Sequence, residues 1–530
     1  MNRDYVIKRS ALWAAYGDAL GFITELVDES GLKRRIGKTS IEHTIAWKRV
    51  LGGKFGTQVN LPAGAYSDDT QLRLATSRSI NGNGNFDVES FAKIELPIWL
   101  SYSLGGGRGT KNAAQSLISS NVNWFSNFYG KQENKYFSSG GNGAAMRVQP
   151  HVWSQYLHGN INAILEDVIK NSICTHGHPR AILGAAFHAL SLYRALSDLK
   201  IPGPNEWSWI ILQLNLVAEI ISNNSELSAF WIPMLEEFAG EKVDLYFKKY
   251  IDELAQEIRL ALELEHEPTS DDYHKILDNL DAFNPIHRGS GAKTSVAASI
   301  LAWLYRNKPA EYAIKSACNA LGSDTDTIAT MTGAIMGAVE STEPQYALCD
   351  REYINQESNR LFLISTRSIA PSFSYPDFNQ WKSPKSQLEA VIQSGEDLFI
   401  PGLGKVEPIG DMYLSRAKDH GWQWLKTTFD QTLICKRKVD PTVKNIENKN
   451  NNSPNLFSIS QSEKIEVSTP RKSLDELTKE VINSGFSEIL AGKHLLSFSD
   501  DVDGIEKAIA YTAIVLKARM ARNKTLKNTD

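Results

Sequence analysis

The sequence predicts an all-α protein: a compact helical domain, followed by a C-terminal extension of mixed or helical character. Three observations carry that expectation. Apolar residues recur at helical spacing through most of residues 5–340, where strand signals are few and short. Two acidic turns, Ser67-Asp68-Asp69-Thr70 and Ser323-Asp324-Thr325-Asp326-Thr327, stand near the ends of that span, each leading into an apolar helical pattern. After about residue 345 the texture changes, and residues 441–470 are polar and Asn-rich.

In chain order, residues 5–27 read as a helix, with Val6, Ala11, Leu12, Ala15, Leu20 and Phe22 as apolar positions. Gly17-Asp18-Ala19-Leu20-Gly21 interrupts it. A helix-interior glycine costs about 1 kcal/mol, so two of them predict a close backbone approach or a helix end. If the helix continues, Asp18 and Glu25, seven apart, share a face. Residues 28–66 read as loops, punctuated by Gly52-Gly53 and Pro62-Ala63-Gly64. Helices are expected at 68–80, 88–103, 110–120, 143–155, 161–174, 179–198, 208–222, 225–238, 243–263, 270–279, 291–306, 309–320 and 326–340. Ser67 and Asp326 occupy expected N-cap positions. Ala329, Gly333 and Gly337 form a small-residue stripe.

Beyond this domain, residues 1–345, an accessory region of unknown fold is expected over 346–440. It mixes helices at 386–395 and 415–428 with short turn-bounded pieces such as Leu398–Gly404. Residues 441–470 cannot bury a core and read as a flexible linker. Residues 471–530 read as a helical segment, with helices at 472–494 and 502–522. Ile505, Ala508, Ile509, Thr512 and Leu516 lie on one apolar stripe.

Composition narrows the function. The 530 residues are 42% apolar and 22% charged, an ordinary soluble balance, and a net charge of −4 gives no electrostatic reason to expect nucleic acid as the main partner. Cys174, Cys318, Cys349 and Cys435 are far apart and read as reduced thiols, which makes the cytoplasm the default. No apolar run is long enough for a membrane span.

The acidic turns say more. One such turn is usually only a helix cap. Folded together, the two would gather Asp68, Asp69, Asp324 and Asp326, and four carboxylates in one cleft repel unless a cation neutralises them. Oxygen ligands without cysteine or histidine point to magnesium, manganese or calcium. Gly140-Gly141-Asn142-Gly143, entering a helix, offers backbone N–H groups to an anion such as a pyrophosphate. Thr175-His176-Gly177-His178 precedes another helix; with no third soft ligand nearby, its histidines suit capping or ligand contact better than zinc. Glu25 alone would be a surface carboxylate.

Taken in order, Gly17–Gly21 with Glu25, Ser67–Thr70, Gly141–Arg147, Thr175-His176 and Asp324–Thr327 resemble the ADP-ribosylglycohydrolase family, which includes the dinitrogenase-reductase-activating glycohydrolase. The resemblance covers about residues 8–340 and is most specific over Asp324–Ala338. It implies an all-α fold with a binuclear magnesium or manganese centre in a central cleft. Ser67, Asp68, Asp69, Asp324, Asp326 and Thr327 would be the metal ligands, with Ser67 where family members often carry threonine. Glu25 would lie near the metals, and Glu25, Asp68 and Asp326 would be the catalytic carboxylates. Ser139, Gly140, Gly141, Asn142, Gly143 and His176 would line the ADP-ribose pocket. Some relatives carry an aspartate, proposed there as a base, in the loop that here reads Leu104-Gly105-Gly106-Gly107-Arg108-Gly109-Thr110 with no carboxylate.

That family chemistry is cleavage of the glycosidic bond between ADP-ribose and an acceptor. The partner would be an ADP-ribosylated protein or a small ADP-ribosyl compound, with a nucleic-acid acceptor also open and no membrane partner expected. A second reading is a catalytically silent ADP-ribose binder or scaffold of the same fold. A third gives the main function to target binding by the C-terminal region.

Overall fold

The computed structural model describes residues 4–53, 56–130, 135–439, 472–501 and 503–527; the expected linker, 441–470, lies outside the described residues. The chain opens with α1 (Asp4–Thr24), α2 (Glu29–Ile36), the antiparallel hairpin β1 (Trp47–Leu51) and β2 (Thr57–Leu61), and α3 (Asp68–Arg78). Next come α4 (Val88–Ser90), α5 (Leu96–Trp99), α6 (Arg108–Leu117), α7 (Gln149–Trp153), α8 (Ile161–Ile173) and α9 (Pro179–Asp198). The helical body continues with α10 (Pro204–Gln213), α11 (Leu216–Asn223), α12 (Ile232–Ala239), α13 (Val243–Ala261), α14 (Tyr273–Asn279), α15 (Gly291–Leu304), α16 (Ala310–Asn319) and α17 (Thr325–Gly337).

The first and last helices of this body, α1 and α17, form its centre. Glycine permits their contact. A Cβ on Gly17 would stand 2.3 Å from the Ala329 carbonyl oxygen, and one on Gly21 2.4 Å from Asp326 Cα. From the other side, a Cβ on Gly333 would stand 2.3 Å from the Trp13 carbonyl oxygen. The glycines at 17 and 21 therefore mark a close approach, and α1 runs on to Thr24 before it ends. Hydroxyls fasten the contact: Ser10 donates to the Ala334 carbonyl at 2.7 Å, Thr330 to Ala14 at 2.7 Å and Thr325 to Gly21 at 3.0 Å. Because the two acidic turns precede α3 and α17, this packing carries both to the C-terminal end of α1.

The extension holds α18 (Arg351–Ser365), packed on α1, and a five-stranded antiparallel sheet in the order β3 (Ile392–Ser394), β4 (Asp397–Ile400), β5 (Gly404–Leu414), β6 (His420–Thr427), β7 (Thr432–Lys438). Two sequence expectations are corrected here. Residues 415–428 form no helix but contain β6, whose tryptophans and threonine suit a half-buried pleated surface and whose backbone pairs with both β5 and β7. The expected helix at 386–395 ends instead in β3, paired with β4 across a two-residue turn in which Gly395 takes a φ of 63°. Residues 28–66 likewise hold α2 and a hairpin where only loops were expected.

Buried polar contacts join extension and body. Arg78 pairs with Glu95 at 2.7 Å and also donates to Tyr353 and to Gln431. Asp350 accepts from the Tyr66 hydroxyl and from the Thr432 backbone N–H. Last come α19 (Leu474–Asn483), α20 (Glu488–Ser497) and α21 (Gly504–Lys527). The expected single helix over 472–494 is broken where Gly485 and Phe486 take positive φ. Ser473 donates to Glu89 at 2.7 Å, and Lys479 pairs with Glu226, which docks this segment on the body. No helix among the described residues is long and apolar enough to cross a membrane.

Candidate active site

At the C-terminal end of α1 lies a cleft of about 1150 Å³. One wall is acidic, lined by Glu25, Asp68, Asp69, Asp324, Asp326 and Thr327; facing it are Gly106–Thr110, Ser139–Gly143, His176 and His178. Ser67 is buried and is not among the lining residues. Every other expected site residue is brought to this one cleft.

The first acidic turn is built from the core outward. Ser67 is the N-cap of α3, its hydroxyl accepting from the Asp69 N–H at 3.3 Å. Asp18, fully buried on α1, reaches across and accepts from the Ser67 N–H at 2.9 Å and the Thr70 N–H at 2.8 Å. Asp18 thus acts as a cap supplied from another helix. It was noticed in the sequence but given no role, since its partners lie some fifty residues on.

The second turn is built differently. The N-cap of α17 is Asp324, not Asp326 as expected, because the helix begins one residue earlier, at Thr325. The Asp324 side chain makes no capping bond; it accepts from Asn142 Nδ2 at 3.1 Å, which ties the turn to the glycine loop. Asp326 accepts from the Thr327 N–H at 2.9 Å.

Burial and mutual repulsion set the charge state of the acidic wall. Burial, reinforced by Glu25 and Asp18, pushes the Asp68 carboxyl up to about 7. Burial and neighbouring carboxylates hold Asp69 and Asp326 well above the usual range. Burial also raises Glu25, with the Arg49 guanidinium opposing it and Asp324 reinforcing it. Arg49, on β1, stands 3.8 Å from the Glu25 carboxylate and lies over the Phe22 ring. Arg35 donates to the Ile23 and Glu25 carbonyls and so closes the C-terminus of α1 just before Glu25. Sequence reasoning missed both arginines, since Trp47-Lys48-Arg49-Val50-Leu51 has no period-two alternation to mark a strand and Arg35 acts on backbone carbonyls.

The donor set fits a hard divalent cation. It is all oxygen, and Asp69 Oδ2 is buried with no hydrogen-bond partner. Among the described residues, no three carboxylate, histidine or cysteine side chains stand close enough together to form a ready metal site. The residues expected to ligate metal therefore line the cleft as separate donors, not as an assembled ligand set.

On the opposite wall, Arg147 is fully buried and organises two loops. It donates to the Gly143 carbonyl at 2.6 Å, to the Asn171 carbonyl and to Thr175 Oγ1 at 2.8 Å. Thr175 Oγ1 lies 2.7 Å from His176 Nδ1. Burial, with Arg147 nearby, drops the His176 pKa to about 3, so the ring is neutral. Thr175 Oγ1 also reaches the Ser172 carbonyl, at 3.4 Å. His176 Nε2 lies beside Gly109, Gly141 and Gly143. His178 caps α9, its Nδ1 accepting from the Arg180 N–H. Gly105, at a φ of +94°, lies so close to Asp68 that a Cβ there would stand 2.5 Å from Asp68 Oδ1. The carboxylate-free loop therefore presses its backbone against the acidic wall.

Residues 8–344 match the ADP-ribosylglycohydrolase family. The chain is 26% identical over 225 residues to ADP-ribosylhydrolase ARH1 of Dictyostelium discoideum, covering 42% of this chain and 53% of that protein. It is 24% identical over 298 residues to ADP-ribosylhydrolase ARH3 of Xenopus tropicalis, covering 52% of this chain and 74% of that protein. The chain thus spans about half the length of the first of these relatives and about three quarters of the second. A solved chain from an ADP-ribosylglycohydrolase-related protein complex overlaps 68% of this chain and 99% of its own length, at a TM-score of 0.42 and 21% identity. With the family match running through both acidic turns, the glycine loop and His176, the chain belongs to the ADP-ribosylglycohydrolase family.

Proposed function

We propose that this protein is a metal-dependent hydrolase that cleaves the glycosidic bond between ADP-ribose and an acceptor, reversing ADP-ribosylation of a protein or another macromolecule. The observation that carries this reading is the pairing of walls in one cleft. Carboxylates that need a cation face a glycine loop and a neutral histidine suited to an anionic, hydroxyl-rich ligand. Asp68, Asp69, Asp324 and Asp326, with the Thr327 hydroxyl, would hold two magnesium or manganese ions, and Ser67 would join them if its turn opened. Bound metal would act as a Lewis acid and a template at the ribose.

The rest falls to the chain's own groups. The backbone of Gly140–Gly143 offers N–H donors to the pyrophosphate. The neutral His176 ring turns Nε2 into the same pocket. Glu25, raised by burial and held by Arg49, accepts a proton from the attacking water as positive charge grows at the ribose C1″. The four cysteines are free thiols, which suits the cytoplasm.

The test is release of ADP-ribose from substrates of defined linkage, through arginine, serine, a nucleic-acid base or a small metabolite, with magnesium or manganese and with a chelator. Metal-dependent release from one linkage is expected. Tight ADP-ribose binding without release from any of them would replace this reading with that of a silent binder.

A further inference from the structure

The family match ends at residue 344, so it assigns no role to the sheet β3–β7. That sheet is tied to the helical body where Asp350 accepts from Thr432 and Arg78 donates to Gln431. Elsewhere it grips the β1–β2 hairpin. Trp424 Nε1 donates to the Asn60 carbonyl of β2 at 3.1 Å. A Cβ on Gly52, where the chain leaves β1, would stand 3.7 Å from Trp422 Nε1. The Thr57 hydroxyl, at the start of β2, donates to the Leu414 carbonyl of β5 at 3.4 Å. Trp422 and Trp424 alternate with Gln423 on β6 and so face one side of the sheet. A two-stranded hairpin is marginally stable on its own, so its position is set by what it packs on. Here that is β5 and β6 on one side and the end of α1 on the other.

The hairpin's inward face carries one end of an ion pair. Cross-strand register and the pleat place Arg49 with Trp47, Leu51, Val59 and Leu61, all of which are buried. A guanidinium on such a face needs a compensating charge, and the carboxylate beside it is Glu25, at 3.8 Å. Arg49 is seated 4.5 Å over the Phe22 ring and 5.9 Å over Trp47, and those two rings meet edge-on at 5.3 Å. Arg49 and Arg35 attract the Glu25 carboxylate, whereas Asp324 and Asp18 repel it. Without the attraction, Glu25 would turn away from the other carboxylates and out of the cleft it lines.

We propose that the sheet β3–β7 serves the reaction: through Trp422 and Trp424 it holds the β1–β2 hairpin where Arg49 keeps the Glu25 carboxylate turned into the cleft. Arg49, Trp422 and Trp424 are positioning residues, and none of them lines the cleft. This inference rests on Glu25 acting on the attacking water.

The test is steady-state release of ADP-ribose by the full chain at saturating magnesium, from an ADP-ribosylarginine or ADP-ribosylserine peptide, whichever is cleaved. Arg49→Met keeps an apolar stem and loses the charge. Its kcat should fall about ten- to a hundredfold, the size expected when a reacting group is misplaced, with KM and bound magnesium within about twofold of the parent. Arg49→Lys keeps the charge and should stay within about fivefold. Trp424→Phe keeps a packed ring, loses the bond to Asn60 and should lower kcat about threefold. Trp422→Ala with Trp424→Ala should lower it about tenfold. The deciding measurement combines them. Because the sheet acts through Arg49, adding both tryptophan changes to Arg49→Met should lower kcat by no more than about a further twofold. In a Glu25→Gln background neither Arg49→Met nor the tryptophan changes should lower it further. Tryptophan variants at the parent's kcat would overturn the proposal. So would tryptophan losses that multiply with that of Arg49→Met, or an Arg49→Met variant that loses magnesium or raises KM while kcat holds. A Glu25→Gln variant at the parent's rate would instead remove the reading of Glu25, and this inference with it, while metal-dependent release itself still stood.

Discussion

The two acidic turns look alike in sequence and are supported in opposite ways. The first is fixed from the interior: Asp18, fully buried, holds the backbone N–H groups of Ser67 and Thr70. The second is fixed from across the cleft: the Asp324 carboxylate is tied to Asn142 of the glycine loop and makes no bond to its own helix. A carboxylate held by backbone donors in the core keeps its place whether or not ligand is present. One held by a side chain on the opposite wall moves with that wall. The first turn is therefore a rigid platform and the second a link between the acidic wall and the glycine loop.

The largest expected effect breaks the acidic wall on either side of this comparison. Asp68→Ala and Asp326→Ala should each lose bound metal, as read by mass spectrometry, and about 10²–10⁴-fold in turnover, with the helical fold kept. Removing one of several buried, repelling carboxylates relieves repulsion, which offsets part of the lost ligation. Glu25→Gln should lower turnover by a similar factor while metal content and ADP-ribose affinity stay near those of the parent. A Gln variant within about threefold of the parent rate would remove Glu25 from the mechanism. Full metal occupancy in both aspartate variants would remove the acidic wall from it.

Next in size is the support of the first turn. Asp18→Ala leaves two buried N–H groups without an acceptor, at about 1–3 kcal/mol each. Part of that is offset because Asp18 is itself a buried charge beside Asp69. Denaturant unfolding should show a net loss of about 2–4 kcal/mol, with Asp18→Asn losing less because it keeps one acceptor. If Asp18→Ala unfolds at the parent's midpoint, the platform description of the first turn fails.

A smaller effect concerns protons and metal together. The Asp68 carboxyl is pushed from its ordinary 3.8 to about 7 in the folded protein. For a group raised on folding, the stabilising contribution is complete below the unfolded value and is lost as pH rises through the folded one. Metal-free protein should therefore melt progressively lower between about pH 4 and pH 7. Metal competes with those protons, so the rise in melting temperature on adding saturating magnesium should grow over the same window. A rise that is flat or shrinks toward high pH would separate these carboxylates from the metal.

The comparison also shows what the sequence could express. A close approach was legible at Gly17 and Gly21, and a small-residue stripe at Gly333 and Gly337, because glycine is otherwise costly in a helix; that the two meet each other was not. The site residues were legible because most lie in short, compositionally unusual turns. The supports were not. Asp18, Arg49 and Arg147 each act on a partner distant in sequence or through backbone atoms, and a buried arginine or aspartate has no local pattern of its own. β6 was misread as part of a helix over 415–428 for a related reason: its pairing with β5 and β7 is not visible in the local sequence.

The smallest expected effect sharpens the comparison most, because it isolates the second turn's support. Asn142→Ala removes the bonds from Nδ2 to Asp324 at 3.1 Å and to Thr294 at 3.2 Å but keeps the backbone bond to the Gly289 carbonyl at 2.9 Å. Asn142 is only partly buried, so water can replace what is lost, and stability should fall by about 1 kcal/mol at most. The mark of a link between walls lies elsewhere. With Asp324 released from the glycine loop, KM for an ADP-ribosylated substrate should rise about three- to tenfold, about the value of one hydrogen bond, and the magnesium concentration for half-maximal rate should rise with it. If Asn142 only shapes the pocket, KM should rise while the magnesium dependence stays put. If both stay put, the Asn142–Asp324 bond holds nothing that matters to the reaction, and the two turns differ in construction alone.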